Sequence, residues 1–292
     1  MVAVLGGLGA ALAWAAATLC ATRAARLIGA PSVLAWVMLT GLAITVPWAA
    51  VEGVPDLDGE ALGLLFVAGF GNTIGLLFAY SGFKIGKVGI VAPIVSSEGA
   101  IAAVIAVVAG EQLAPGTGLV LVVVAVGIVL AAMGRDLADT DSALHDGRAG
   151  FLGLAAALSF GVGLYATGRV SSGLPVAWAV LPPRIVGVLL IALPLAVTAR
   201  LVLTREAAPF VLVAGVAEVV GFASFALGAR HGIAVSAVLA SQFAAVAAVA
   251  AYFVFGERLT LVQIVGVVAI ASGVQARQPQ MMRKVEVLHG RS

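Results

Sequence analysis

The chain alternates long apolar stretches with short polar breaks. A helix crosses a bilayer core with roughly 20 apolar residues, and ten stretches of about that length lie between charged or Pro/Gly-rich breaks. They cover residues 2–22, 31–51, 61–80, 88–108, 115–133, 149–168, 176–198, 208–228, 233–255 and 260–276. No strand-like alternation competes with them, and a lone span can satisfy its own backbone only as a helix. The pattern predicts an all-α polytopic membrane protein with ten transmembrane helices.

The two halves of the chain repeat each other. A shift of 146 residues superposes them without a gap, and the matched pairs include Trp14 with Phe160, Arg23 with Arg169, Gly75 with Gly221 and the Gly-Glu-x-Leu segments at Gly110 and Gly256. Each half has five spans, an odd number, so the second half enters the membrane from the opposite side. The fold class is therefore predicted as two inverted five-helix repeats. Such repeats can open one central site to each side alternately, although a duplicated scaffold without transport stays an alternative.

The repeat sets the expected domain boundaries. The first five-helix repeat covers residues 1–134, and the second covers residues 149–276. Residues 135–148, rich in Asp, Ser and Gly, are expected to form a solvated linker loop, and residues 277–292 form a C-terminal tail.

The composition excludes several classes of protein. Apolar residues make up 62% of the chain and charged residues only 10%, which is far below the share in soluble proteins. A net charge of +2 forms no basic patch, so we expect no nucleic-acid partner. Cys20 is the only cysteine, and the three histidines form no metal-spaced pair, so neither a metal nor a catalytic site is expected. The sequence predicts no cofactor and no enzymatic activity.

Three ionisable residues fall well inside the spans: Glu98, Arg184 and Glu218. A charge at the centre of a membrane helix costs about 2.5–3.5 kcal/mol on insertion scales, so such residues normally face a cavity or a partner. Glu98 and Glu218 lie at the midpoints of the fourth and eighth spans. A belt of polar residues shares their depth on spans three, four, eight and nine: Asn72, Ser96, Ser97, Glu98, Glu218, Ser241 and Gln242.

This belt is the predicted substrate site. The expected binding residues are Trp14, Asn72, Ser97, Glu98, Phe160, Glu218 and Gln242, with the two aromatic residues related by the repeat. Glu98 and Glu218 are candidates for proton coupling, because either could exchange a proton for a ligand amine. Two alternatives stay open: the glutamates could be hydrogen-bonded groups that hold helices together, and the aromatic residues could be core packing.

Other residues near the spans have structural interpretations. Pro93 and the pair Pro182–Pro183 are expected to weaken helices four and seven. Arg184 is expected to reach the membrane interface, and the alternative is that it meets a carboxylate if the break at Pro182–Pro183 exposes it to water. Tyr80 and Tyr165 are expected to belong to the interfacial aromatic belt, with a role in gates as the alternative. Glu111 and Glu257 fit first-turn carboxylates of helices five and ten.

The paired segments GFKIGKVGIVAPIVSSEGAIAAVIAVVAGEQL and LGARHGIAVSAVLASQFAAVAAVAAYFVFGERL resemble the EamA-domain branch of the drug/metabolite transporter superfamily. The resemblance covers essentially residues 1–276, and its most specific element is the Gly-Glu-x-Leu turn of each half. It implies a ten-helix secondary carrier in a bacterial inner membrane, often an exporter of amino acids or other metabolites. Arg184 also looks like an arginine that this family often carries in the second helix of a repeat, whereas Met38 occupies that place in the first half.

The expected function is secondary active transport. The acidic residues at the membrane midplane are the feature that favours transport over a scaffold. Export of amino acids or similar metabolites is the leading hypothesis. Efflux of amphiphilic organic cations and a non-transporting receptor or scaffold are the alternatives. The expected partners are a small-molecule substrate, the lipid bilayer and protons as candidate coupling ions, and a monomer is adequate. Orientation stays open, because nine Lys and Arg residues outside the spans lie on the face without the termini and six on the other, whereas the resemblance suggests cytoplasmic termini.

Overall fold

The computed structural model describes residues 1–111, 140–244, 246–247 and 250. Its α-helices are α1 (Val2–Ile28), α2 (Ala30–Glu52), α3 (Gly59–Ile85), α4 (Val88–Val95), α5 (Glu98–Val108), α6 (Thr140–Ser171), α7 (Val176–Gly187), α8 (Leu193–Val197), α9 (Ala208–Ala229) and α10 (Ile233–Ala240). The predicted spans 115–133 and 260–276, the tail 277–292 and Glu257 lie outside the described residues. The ten-helix count therefore stays a prediction.

Six helices of the described part are long and apolar enough to cross a membrane. They are Val2–Ile28, Ala30–Glu52, Gly59–Ile85, Gly147–Ser171, Val176–Val197 and Ala208–Ala229. Many of their large apolar side chains point outward, including Leu12, Phe66 and Phe151, which are more than half exposed. Outward apolar side chains on long apolar helices suit a lipid environment. The chain is therefore a multi-pass membrane protein.

The ends of the early helices follow from local sequence. Gly29 has a φ of 84° between α1 and α2, and Gly53 has a φ of 80° after α2. Both angles lie in the left-handed region, which glycine enters without a steric penalty. Asp58 caps α3, because its side chain accepts a hydrogen bond from the Ala61 N–H at 2.7 Å. These caps place the ends of α1, α2 and α3 at the two faces of the bundle.

We name the two ends of the bundle by residues of α1. The Met1 face also holds the C-terminal ends of α2, α5, α6 and α9. The Ile28 face also holds the C-terminal end of α3 and the N-terminal ends of α2, α4 and α9.

The predicted spans 88–108 and 233–255 are not continuous helices. A turn at Ser96–Ser97 separates α4 from α5, and a turn at Ser241–Gln242 follows α10. In each turn a serine hydroxyl donates to a carbonyl three residues earlier, Ser97 to Ile94 and Ser241 to Val238, both at 2.8 Å. Such bonds compete with the helical pattern. Pro93 is expected to weaken the first of these helices, and the interruption there falls three residues after it.

Two further boundaries differ from those expected. α6 begins at Thr140, so the last nine residues of the expected linker loop, 140–148, are helical. The chain around Pro182–Pro183 stays α-helical to Gly187, and the irregular part is the π-helical turn Val188–Ala192 that follows. The Thr73 hydroxyl on α3 donates to the Pro183 carbonyl at 3.0 Å, which links α3 to α7.

The helices of the two halves pack against each other in matching pairs. α1 runs along α9, and α6 runs along α3. Close contacts recur at the spacing of the sequence repeat: Trp14 lies on Gly221 as Phe160 lies on Gly75, and Arg184 lies on Gly41 as Met38 lies on Gly187. Glycines at these contacts let the large side chains approach a neighbouring backbone. The centre of the bundle is enclosed by elements from both halves.

Candidate functional site

A central cavity lies between the first and second halves of the described chain. Its lining comes from α1, α3, the α4–α5 break, α6 and α9, together with Phe243 after α10. The lining residues are Trp14, Thr18, Asn72, Leu76, Ala79, Tyr80, Phe83, Val95, Glu98, Phe160, Leu164, Glu218, Phe222 and Phe243. The cavity is therefore mostly apolar and aromatic, with two carboxyl groups.

Helical spacing explains which side chains share this cavity. Asn72, Leu76, Tyr80 and Phe83 follow each other by three or four positions on α3, with Ala79 beside Tyr80, so these residues form one stripe along the helix. The same spacing joins Trp14 to Thr18 on α1 and Glu218 to Phe222 on α9. The sequence already contained this signal, and it would have added residues such as Leu76 and Phe222 to the predicted site.

Five of the predicted binding residues meet in the central cavity: Trp14, Asn72, Glu98, Phe160 and Glu218. The described lining does not include Ser97 or Gln242. Both lie in the turns that interrupt helices, where Ser97 donates to the Ile94 carbonyl at 2.8 Å and Gln242 donates to the Val238 carbonyl at 3.2 Å. Their side chains satisfy local backbone groups instead of facing the cavity.

The two glutamates face the same small space. Glu98 is 4% exposed and Glu218 is 6% exposed, and neither carboxyl group has a hydrogen-bond partner among the described residues. The break after α4 makes Glu98 the first residue of α5, next to the partial positive charge of a helix N-terminus. Two acidic groups without internal partners leave acceptors free for a bound ligand.

Aromatic rings surround these carboxyl groups. Trp14 packs edge-on against Phe222 with ring centroids 5.0 Å apart, and it meets Phe243 at 6.5 Å in the same geometry. Phe160 contributes a ring from the other half and rests on Gly75. Aromatic faces bind both apolar groups and cations. The lining therefore suits a ligand with an apolar body and a positively charged end.

Several buried polar atoms at the site have no hydrogen-bond partner among the described residues. They are Trp14 Nε1, Asn72 Oδ1, Tyr80 Oη and Arg184 Nη2. Native interiors leave few polar groups unsatisfied, and each exception calls for an explanation. Trp14 Nε1 packs against Gly221 and Asn72 Oδ1 packs against Gly163. Tyr80 lines the central cavity, where a ligand or water can provide a partner for its hydroxyl.

Two expectations about individual side chains were wrong. Tyr80 is buried and lines the cavity, so it does not belong to the interfacial aromatic belt. Arg184 does not extend to the interface, since only 1% of it is exposed. Its guanidinium carbon lies 4.8 Å from the centroid of the Phe222 ring. Contacts with the Phe222 ring and with Gly41 hold the Arg184 side chain inside the bundle.

The central cavity is small in the conformation described. Its volume is about 40 Å³, enough for a few water molecules and far less than the roughly 300–1,000 Å³ of a typical small-molecule pocket. The described conformation therefore closes around the carboxyl groups. A metabolite fits there only after helices move apart.

A second, larger and more polar space opens at the Met1 face. This vestibule has a volume of about 410 Å³ and is lined by Ala106, Ala109, Gly110, Glu111, Tyr165, Arg169, Ala229, His231, Gly232 and Ile233. Tyr165 reaches it from α6, the helix that also carries Phe160 to the central cavity. The vestibule gives the bundle a polar approach from one face.

Glu111 has a partner that the sequence did not predict. Its carboxylate accepts a hydrogen bond from the Ala234 N–H at 3.2 Å, at the N-terminal end of α10. The residue does lie opposite the positive end of a helix, but that helix belongs to the second half. Glu111 therefore joins the two halves beside the vestibule.

Comparison with known proteins identifies the first half of the chain. Residues 1–133 match the EamA-like transporter family. The resemblance is thereby confirmed for the first of the two paired segments, and the second paired segment lies outside the match. Proteins of this family are transporters rather than enzymes. The match covers fewer than half of the 292 residues, and it lies beside six described helices that are long and apolar enough to cross a membrane.

The fold is also found among solved structures. One crystal structure of a protein aligns with a TM-score of 0.71 and 17% sequence identity, covering 97% of this chain and 98% of the other. At this identity the likeness shows the fold alone. No curated protein sequence matches the chain.

Proposed function

We propose that this chain is a secondary transporter that exports amino acids or similar small metabolites by alternating access through the central cavity. The single observation that carries the proposal is the pairing of Glu98 and Glu218 in one cavity, each without a hydrogen bond to another described residue. Ionisable groups buried in a membrane are costly and normally serve a pathway or a site. Residues that only held helices together would be bonded to those helices.

The packing of the two halves supports the alternating-access part of the proposal. Contacts of α1 with α9 match those of α6 with α3, as two related bundles in opposite orientation would produce. A transporter of this design has two alternative arrangements that exchange the roles of its halves. The interrupted helices α4–α5 and α10 add half-helix ends near the middle of the bundle, where transporters commonly bind substrates. The described conformation fits a closed state, since the cavity is too small for a metabolite.

Protons are the proposed coupling ions. A carboxyl group in the cavity can release a proton when a ligand amine arrives and take one up when the amine leaves. Glu98 and Glu218 are the candidates, because both face the ligand space. No nucleotide-binding loop is present in the sequence, so an ion gradient or the substrate gradient supplies the driving force.

Efflux of amphiphilic organic cations is a second candidate function. Acidic groups surrounded by rings from Trp14, Phe160, Phe222 and Phe243 favour an organic cation. This reading and amino-acid export share the amine end of the ligand. They differ in whether the ligand also carries a carboxylate.

Flux measurements in proteoliposomes test the proposal. Purified full-length protein is reconstituted, and counterflow is measured with a panel of amino acids and a panel of lipophilic ammonium compounds. Movement of amino acids supports the proposal, and movement of the ammonium compounds alone supports the second candidate. Movement of neither contradicts transport and leaves the receptor or scaffold.

Substitution of the two glutamates tests the site. Glu98→Gln and Glu218→Gln keep the shape of each side chain and remove its charge and its exchangeable proton. We expect each variant to lose at least about tenfold in flux or to lose its dependence on the pH gradient, as for a general proton-transfer group. Glu206→Gln is the matched control, since Glu206 is exposed at the Ile28 face. Wild-type transport and pH dependence in both test variants would remove the glutamates from the mechanism.

A further inference from the structure

Arg184 is an incompletely bonded cation in the interior of the bundle. Its side chain is buried, and Nη1 donates to the Val180 carbonyl of its own helix at 3.2 Å. Among the described residues, Nη2 has no hydrogen-bond partner and no carboxylate forms an ion pair with the guanidinium. A guanidinium offers five donors, and a buried charge is costly unless paired and hydrogen-bonded. The described residues thus accept only a small part of the hydrogen bonds that the Arg184 guanidinium can donate.

Packing alone does not require a charge at this position. The repeat places Met38 at the position equivalent to Arg184, and both are fully buried long side chains. Met38 lies on Gly187, and Arg184 lies on Gly41, where an added methyl group would be 2.9 Å from its Cγ. An unbranched apolar side chain therefore fills this kind of contact in the first half. The guanidinium in the second half needs a separate explanation.

The charge lies directly behind the wall of the central cavity. The guanidinium carbon is 4.8 Å from the centroid of the Phe222 ring, and Phe222 lines the cavity. Glu218 and Tyr80, which also line the cavity, lie within electrostatic range of Arg184. One aromatic ring thus separates an unsatisfied cation from the ligand space.

The unpartnered atoms around the cavity form two groups of opposite preference. The Glu98 and Glu218 carboxyl groups line the cavity and can accept hydrogen bonds from an amine. Tyr80 Oη and Arg184 Nη2 can donate hydrogen bonds to an anionic group. A ligand with an amine at one end and a carboxylate at the other satisfies both groups together.

We propose that Arg184 is a specificity-determining residue of the transport site and binds the anionic group of a zwitterionic ligand when the Phe222 ring turns aside. This inference rests on the proposed function, since it assigns the second charge of that ligand. The cavity must expand to admit any metabolite, and displacement of Phe222 is part of that expansion. A guanidinium binds a carboxylate in a planar, two-pronged geometry that lysine cannot copy.

The test uses four probes with one shared apolar body. They are L-leucine, which is zwitterionic, L-leucinamide and 3-methylbutylamine, which are cationic, and 4-methylpentanoate, which is anionic. Binding to the purified full-length protein is measured by competition or calorimetry, and counterflow in proteoliposomes. We expect L-leucine to bind at least about tenfold more tightly than either amine, as a charge-assisted hydrogen bond provides.

Variants then assign this preference to Arg184. Arg184→Met copies the residue found at the equivalent position of the first half, so we expect it to fold. It should bind L-leucine about as weakly as L-leucinamide while its affinity for the amines stays within about twofold. Arg184→Lys should restore part of the preference. Met38→Leu is the matched control and should keep the wild-type order of the four probes.

The outcomes separate this inference from the proposed function. Equal binding of L-leucine and L-leucinamide by the wild type overturns the role of Arg184, and so does an unchanged preference in Arg184→Met. Binding of none of the four probes by the wild type also overturns it. Transport itself fails only if the broad flux panels of amino acids and ammonium compounds show no movement. If Arg184→Met does not fold, the probe series on the wild type still decides.

Discussion

Gly75 and Gly221 determine where the aromatic rings of the central cavity lie. A methyl group on Gly75 would lie 2.6 Å from Cδ1 of Phe160 and 2.8 Å from its Cε1. Phe160 would have to leave its position against α3. Because Gly221 holds Trp14 in the same way, each half supplies one large ring and the other half supplies the glycine that admits it.

Gly75→Ala should therefore displace the Phe160 ring that lines the central cavity. We expect a loss of thermal stability of about 1–3 kcal/mol from overpacking, together with weaker binding of transported amino acids. Gly63→Ala on the same helix is the control, since nothing lies within 4 Å of a methyl group there. Thermal unfolding in detergent and binding measurements on both variants check the prediction. Equal behaviour of the two variants would contradict it.

The sequence alone identifies site residues whose charge is costly in a membrane. It does not identify residues whose burial depends on contacts with neighbouring helices. Glu98 and Glu218 stand out in any apolar span, and the structure brings them together. Tyr80 and Arg184 were placed at the interface, because a phenol or guanidinium near a span end usually reaches water. Their burial depends on partners that no local pattern shows, such as the Phe222 ring beside Arg184.

At the scale of elements, α5 and α10 cross next to the turns that interrupt their helices, at Ser96–Ser97 and Ser241–Gln242. A methyl group on Gly99 of α5 would lie 2.8 Å from Cβ and 2.9 Å from Oγ of Ser241. Hydropathy predicts one continuous span over residues 88–108, because serine and glycine do not lower the mean hydropathy enough to divide this apolar segment. The turn depends on serine hydroxyl bonds and on the close crossing, so its position could not be predicted from apolar length.

Gly99→Ala should separate α5 from α10. Since Glu98 begins α5 beside this contact, we expect transport to fall by at least about tenfold, as for a misplaced binding group. Gly147→Ala on α6 is the control, because a methyl group there meets nothing within 4 Å. Counterflow in proteoliposomes compares the two variants. Full activity in Gly99→Ala would show that the crossing can relax without consequence for transport.

At the scale of the whole molecule, the two faces of the bundle differ. The larger, polar vestibule opens at the Met1 face, whereas the central cavity is small in this conformation. Two related halves that exchange roles would produce an opposite state, with the opening at the Ile28 face. The sequence repeat alone predicts this alternating access. Because the two faces differ in the described conformation, the exchange can be tested by measuring access from each face.

Thiol labelling tests this exchange in a background with Cys20→Ala. Tyr165→Cys reports on the vestibule, and Phe83→Cys reports on the closed end of the central cavity. We expect a membrane-impermeant maleimide to modify Tyr165→Cys from the Met1 face and to spare Phe83→Cys until a transported amino acid is added. Val54→Cys and Leu203→Cys, exposed at the two faces, should react at constant rates and establish sidedness. Labelling of Phe83→Cys that never responds to substrate would contradict alternating access, because a carrier must expose its site to both faces.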